Sequence, residues 1–251
     1  MSEAPAALHA SVEQLRAVVV GLGPDQLRQS AYPTEWTVAD VLSHLGSGGE
    51  IMRRGFEDTL AGRDTPGGFN QSVWDEWNAK SPDDQAADAL VADAALLAAL
   101  ESATEEQIEG FQFSMGPMTL DFDSFVSLRL GEHVVHTWDI EVALDADATL
   151  IAVAVPVMLD RVSVIADRVG RPPGADATVP VRTSDPERHL AVVMTSDSVQ
   201  LASPETGSDT ALVLPAEAFI RLVYGRLDPD HTPGGVDGPA VEQLRLVYPG
   251  F

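Results

Sequence analysis

Two side chains within residues 131–139, the carboxylate of Glu132 and the imidazole of His136, are suited to holding a divalent metal ion. They are four residues apart in a run that reads as helix, so they stack on one face, one turn apart. The best third ligand is His44, on another predicted helix. Two histidines and one carboxylate are a common set of protein ligands in a catalytic metal site, whose fourth position is left for water or substrate. Zn²⁺ fits this set best, and the ligand types leave Fe²⁺, Ni²⁺ and Mn²⁺ open.

The same residues also have plainer interpretations. A Glu–His pair at this spacing on an exposed helix often only stabilises the helix, and a lone histidine such as His44 is more often a hydrogen-bonded core residue. His133 points about 100° away from Glu132 around the helix, so we expect it to be structural. Asp139 follows His136 by three residues. It either orients that imidazole from the side away from a metal or faces solvent.

Hydrophobic spacing predicts four helices in the first part of the chain, and these must bring the ligands together. Their predicted ranges are 8–19, 37–56, 81–100 and 121–144. The second begins at Thr37, with Asp40 three residues on as an approximate capping box. His44 and Glu132 lie on the second and fourth helices, which must pack side by side, as in a four-helix bundle.

Two further features lie close to the second helix in the sequence. The three glycines of residues 46–49 weaken the helix after His44, and they also allow a ligand or another helix to approach closely. Residues 62–80 are predicted as a loop that carries Trp74 and Trp77. A loop of that length is often a lid or binding loop, and the alternative is that both rings cover the core.

The predicted secondary structure changes from mainly helical to short strand-like runs after the linker at residues 170–174. Residues 149–169 are ambiguous between strand and helix. Strand-like runs follow at 178–183, 190–195, 199–202 and 211–214, with helices at 215–223 and 241–247. We therefore predict an α+β protein: a helical metal-binding bundle over residues 1–170 and a small α/β domain over residues 175–251.

Composition limits the function classes. The chain has no cysteine, so a metal must be held by N and O ligands, and thiol chemistry must use a thiol brought in by a cofactor. A net charge of −24 disfavours nucleic acid and anionic membrane surfaces as partners. Residues 1–10 do not read as a secretory signal. We expect a cytoplasmic protein, monomer or homodimer, that acts on a small molecule.

Two segments together resemble the mycothiol-dependent maleylpyruvate isomerase family, within the wider DinB-like metalloprotein group. They are Trp36-Thr37-Val38-Ala39-Asp40-Val41-Leu42-Ser43-His44-Leu45 and Glu132-His133-Val134-Val135-His136-Thr137-Trp138-Asp139. The resemblance covers nearly the whole chain, with weaker motifs in residues 222–227 and 244–251. Related DinB-like proteins usually carry histidine at the position of Glu132, and the glutamate here points to the mycothiol branch.

The resemblance implies a DinB-like four-helix bundle in which His44, Glu132 and His136 bind Zn²⁺ and the open position takes the thiol of mycothiol. Metal coordination deprotonates a thiol near neutral pH, and the thiolate can add to a small electrophile. In an isomerase the thiolate leaves after rotation about a cis C=C bond, whereas an S-transferase releases the adduct. Arg226 matches a basic position of the family and either reaches the active site, where it would bind a substrate carboxylate, or closes the preceding helix.

The sequence does not identify the electrophile. The chain is poor in cations, which argues against dianionic maleylpyruvate as the substrate. Arg53 and Arg54, about two turns beyond His44, are weaker anchors than Arg226. A hypothesis of another class is a non-catalytic small-molecule-binding or regulatory protein on the same scaffold, with the metal structural or lost.

Overall fold

The computed structural model describes residues 3–203 and 211–250. By packing, the chain divides into two compact units, Met1–Ala148 and Thr149–Phe251. Among the described residues, no helix is long and apolar enough to cross a membrane.

The first unit is helical apart from one short hairpin. Its helices are α1 Ala4–Val19, α2 Pro24–Arg28, α3 Val38–Leu60, α4 Phe69–Asn78, α5 Pro82–Glu101, α6 Glu105–Gly110 and α7 Phe122–Glu141. Strands β1 Phe113–Met115 and β2 Met118–Leu120 form the antiparallel hairpin. The long helices α1, α3, α5 and α7 pack as a four-helix bundle, in which α3 lies between α5 and α7, and α1 contacts α7 and α5. All four predicted helices are therefore confirmed.

Capping side chains fix where the two ligand-bearing helices begin. The Thr37 hydroxyl accepts a hydrogen bond from the Asp40 backbone N–H, and the Asp40 carboxylate accepts one from the Thr37 N–H at 2.8 Å. This is the capping box that the sequence predicts. The Asp121 carboxylate accepts from the Ser124 N–H at 2.8 Å and starts α7 in the same way. With both starts fixed, the helical period determines which faces the later residues of each helix occupy.

The loop prediction for residues 62–80 is wrong, because this stretch contains α4. Two apolar side chains one turn apart, Val73 and Trp77, pack into the core of the bundle and hold the helix there. Trp77 is only 2% exposed, whereas Trp74 is 44% exposed. Gly46 makes room for the buried ring, since a Cβ at this position would lie 2.1 Å from the Trp77 Cη2 atom. Tertiary packing thus overrides the turn-forming residues that precede α4.

The second unit is a small mixed sheet with helices. Its described elements are α8 Val155–Val169, β3 Ala177–Ser184, β4 Arg188–Met194, β5 Val199–Ala202, β6 Leu212–Pro215, α9 Ala216–Val223, a 3₁₀ turn Pro229–His231 and α10 Pro239–Val247. The strand order is β5-β4-β3-β6, with β6 parallel to β3 and the other pairs antiparallel. The α+β class is therefore confirmed.

The stretch that is ambiguous in the sequence, residues 149–169, contains helix α8. The predicted domain ranges, 1–170 and 175–251, assign this helix to the first domain. In the structure it packs on α9 and β5 of the second unit, and the compact units divide earlier, after Ala148. Its apolar stripe covers the sheet, which is why the second unit includes the helix that precedes the glycine- and proline-rich linker.

Candidate metal centre

Helices α3 and α7 bring together the three residues that the sequence predicts as metal ligands. One potential ligand atom from each of His44, Glu132 and His136 lies within 4.8 Å of the others. His44 Nε2 is 3.3 Å from Glu132 Oε2, and His136 Nε2 is 3.7 Å from the same oxygen. Among the described residues, no other group of three histidine, aspartate or glutamate side chains is arranged in this way. That these residues bind a metal stays a prediction.

The ligand atoms lie at the edge of the bundle core. The flanking residues Leu42 and Leu45 are fully buried and anchor α3, while 38% of the His44 side chain is exposed. Glu132 is 44% exposed and His136 is 12% exposed. The cluster therefore has a rigid buried side and an accessible side. This combination suits a catalytic ion, which needs fixed protein ligands and an open position.

Asp139 fixes the orientation and the tautomer of His136. The Asp139 side chain is fully buried, and its Oδ2 atom is 2.8 Å from His136 Nδ1. Because a carboxylate can only accept, Nδ1 carries the hydrogen, and the lone pair of Nε2 is left for a metal. Burial lowers the pKa of His136 below its ordinary value, against an opposing effect of Asp139, so the imidazole is neutral at neutral pH. In the structure Asp139 therefore orients the His136 imidazole and does not face solvent.

Glu132 is held in its ionised form. Partial desolvation of its carboxylate raises its pKa. The hydrogen bond with His44, the charges that His136 and His44 carry when protonated, and the charge of Arg129 outweigh this effect. The net pKa lies below the ordinary value for glutamate. Two imidazoles and one carboxylate are N and O donors that suit Zn²⁺, so the residues present fit the predicted ion.

Trp36 lies against both imidazoles, and the sequence interpretation gave it no role. Its ring centroid is 5.3 Å from that of His44, and it stacks on His136 at 6.0 Å with an interplanar angle of 23°. The sequence feature that could have pointed to Trp36 is its position directly before the Thr37 cap, eight residues or about two helical turns ahead of His44. The indole shields the imidazoles from water on this side of the cluster.

Three arginines were considered as anchors for a substrate anion. Arg53 and Arg54 are on α3 and pair with Glu57 at 2.7 Å and with Asp58 at 2.6 Å. Arg226 belongs to the second unit, where it is 8% exposed and donates from Nη1 to the Tyr224 carbonyl at 2.8 Å. Its predicted catalytic role stays a prediction.

Comparison with known proteins identifies the family of this chain. Residues 8–141 match the family model described as the mycothiol maleylpyruvate isomerase N-terminal domain. The chain belongs to this family. All three predicted ligands and Asp139 fall inside the matched range. No curated protein matches the chain.

Two solved structures share the fold of the whole chain. They are crystal structures of a mycothiol-dependent maleylpyruvate isomerase and of a histidine-to-alanine mutant of it, with TM-scores of 0.67 and 0.66. Each is 14% identical in sequence, and each match covers 95% of this chain and 94% of the other. The similarity therefore extends over both units, although at this identity it speaks to the fold alone.

Removing one ligand tests the metal centre. We expect the wild-type protein to bind about one equivalent of Zn²⁺, and His44→Ala or Glu132→Gln to weaken binding by more than about 100-fold, beyond what loss of an outer partner causes. Isothermal titration after chelation measures this. The matched control is His9→Ala, which removes an exposed histidine of the same unit, paired with Glu101. Equal Zn²⁺ affinity in all four proteins would show that the cluster is not a metal site.

Asp139 can be tested separately. Asp139→Asn places an amide where His136 Nδ1 now donates, which favours the wrong tautomer or removes the hydrogen bond. We expect Zn²⁺ affinity to fall about 10- to 100-fold with the fold intact. Asp145→Asn, at an exposed aspartate just after α7, is the control. An unchanged affinity for Asp139→Asn would mean that the hydrogen bond does not prepare the ligand.

Proposed function

We propose that this chain is a metal-dependent enzyme that uses mycothiol as cofactor or co-substrate and acts on a small electrophile as an isomerase or S-transferase. The observation that supports it is the convergence of three ligand atoms within 4.8 Å on an accessible edge of the bundle. Three protein ligands leave a coordination position for a thiol. The matching family and the solved structures carry mycothiol and isomerase in their names.

A bound Zn²⁺ ion would lower the pKa of a coordinating thiol, so that the nucleophilic thiolate is present near neutral pH. The protein prepares this position through three side chains. Asp139 holds His136 with its Nε2 lone pair directed away from the buried side. Trp36 shields the imidazoles from water. Glu132 offsets half the charge of a divalent ion, so that one further anion makes the centre neutral. A third histidine in place of Glu132 would leave a positive centre that holds an anion more tightly.

The charges of the first unit narrow the substrate class. Every Lys and Arg side chain of this unit forms an ion pair with a carboxylate within 3.6 Å: Arg16, Arg28, Arg53, Arg54, Arg63, Lys80 and Arg129. A dicarboxylate would have to compete with these carboxylates or bring its two charges to the second unit. We therefore propose a neutral or singly charged electrophile, with Arg226 as the anchor for one carboxylate.

A two-substrate assay tests the reaction. The Zn²⁺-loaded protein is incubated with mycothiol and either monochlorobimane, a neutral acceptor, or maleylpyruvate. We expect thiol-dependent turnover with the neutral acceptor that is lost in His44→Ala. For an acceptor with one carboxylate, Arg226→Gln should raise KM roughly 10- to 100-fold, as expected for a lost charge-assisted hydrogen bond. The same change should leave the KM for monochlorobimane unaltered.

Arg188→Gln is the control for Arg226→Gln, because it removes a partly exposed arginine of the second unit that pairs with Asp160. If the metal binds but no electrophile gives thiol-dependent turnover, the enzyme assignment fails, and the non-catalytic binding protein takes its place. Efficient turnover of maleylpyruvate would contradict the restriction to substrates with at most one negative charge.

A further inference from the structure

A buried charged cluster joins all four long helices of the bundle next to the metal ligands. Arg129 is 2% exposed, Asp93 1% and His133 0%. Asp93 Oδ1 accepts from Arg129 Nη2 at 2.7 Å, and its Oδ2 accepts from His133 Nε2 at 3.1 Å. His133 Nδ1 is 2.7 Å from the Ser11 hydroxyl. The expectation that His133 is structural agrees with this position. Together these residues link α1, α5 and α7.

The connection to α3 runs through Arg129. Its Nη2 atom also donates to the backbone carbonyl of Leu45 at 2.8 Å. Leu45 directly follows His44, and Arg129 precedes Glu132 by three residues, about one helical turn. One guanidinium therefore ties the backbone beside the ligand of α3 to the turn that carries the first ligand of α7.

The glycines that follow His44 make this contact possible. A Cβ at Gly48 would lie 3.1 Å from Arg129 Nη1, and one at Gly49 would lie 3.4 Å from Nη2 and 3.6 Å from Asp93 Oδ1. The guanidinium thus lies directly against the backbone of α3. These glycines therefore allow close approach by neighbouring helices. At Gly48 and Gly49 the group that approaches is Arg129 of α7, whereas at Gly46 it is the Trp77 ring of α4.

A cluster of this kind is costly as a means of stability alone. Moving a carboxylate and a guanidinium out of water carries a large desolvation cost, and apolar replacements of such buried pairs are often neutral or stabilising. Burial would raise the pKa of Asp93, but His133 and Arg129 lower it below the ordinary value, so the carboxylate stays ionised. What the cluster supplies that apolar packing cannot is a directional link between specific backbone and side-chain atoms.

We propose that Arg129, held by Asp93 and His133, is a positioning residue for the metal centre. It fixes the spacing of His44 from Glu132 and His136 before a metal is bound, so that the ion meets a preformed site. This inference rests on the proposed metal centre. It predicts that loosening the guanidinium weakens metal binding even though no ligand is changed.

Cobalt titration tests the positioning role, because the absorption spectrum of bound Co²⁺ reports the coordination geometry as well as the affinity. Arg129→Lys keeps the charge but loses the planar guanidinium, whose Nη2 atom donates to both Asp93 and the Leu45 carbonyl. Asp93→Asn keeps the shape but loses the charge that holds the guanidinium. We expect both to weaken Co²⁺ binding about 10- to 100-fold and to alter the spectrum. Two variants are used so that a folding failure in one still leaves a test.

The matched control is Asp58→Asn. Asp58 is also 1% exposed and also accepts from an arginine, Arg54 at 2.6 Å, but it lies near the far end of α3 from His44. The Asp58→Asn substitution should lower the midpoint temperature of thermal unfolding without changing the Co²⁺ affinity or the absorption spectrum. Wild-type affinity and spectrum in both cluster variants, or an equal loss in Asp58→Asn, would overturn the positioning role. A wild-type protein that binds no Co²⁺ would overturn the metal centre itself.

Discussion

The side-by-side packing of α3 and α7 is the constraint on which the candidate site depends. No single helix carries all three predicted ligands: His44 comes from α3, whereas Glu132 and His136 come from α7. The ligand atoms can converge only if the two helices are held at a fixed distance and register. Caps at the two starts, apolar packing along the core and the guanidinium of Arg129 each restrain a different part of that register. Ligand geometry is thus a property of the bundle rather than of a loop.

The electrostatics of the first unit follow from a shortage of cations. With 15 basic and 39 acidic side chains in the chain, a carboxylate is available for every cation of this unit. Arg129 is used inside the bundle and the remaining six lie in pairs elsewhere on the unit, so the acidic composition favours a metal ion over an anion at the site. The same shortage limits the substrate charge that the unit can accommodate.

The sequence predicted the parts of this structure that depend on local pattern. The Glu132–His136 spacing, the Thr37 cap and the apolar period of the long helices are read directly from neighbours along the chain, and the resemblance to the family connected them to His44. Packing across the bundle could not be predicted from this local pattern, because it joins residues that are far apart in the chain. Helix α4 was missed because the buried contact of Trp77 with Gly46 is long-range, and its turn-rich start resembles a loop.

The outer residues of the site could be predicted only as alternatives. Spacing placed Asp139 near His136 but could not say whether the carboxylate is buried, which decides its role. Trp36 lies outside α3, before its cap, so its stacking on His136 could be seen only in the fold. Arg129 was absent from the prediction because an arginine in a helix usually faces solvent. Burial of its charge is explained only by partners on α3 and α5.

The central claim is that three protein ligands leave a position for a thiol. X-ray absorption at the zinc edge measures this directly on the Zn²⁺-loaded protein, without and with saturating mycothiol. The chain has no cysteine, so no protein thiolate contributes a sulfur signal. The account predicts a shell of N and O neighbours only, to which mycothiol adds one sulfur at about 2.3 Å. An unchanged N and O shell at saturating mycothiol would contradict it.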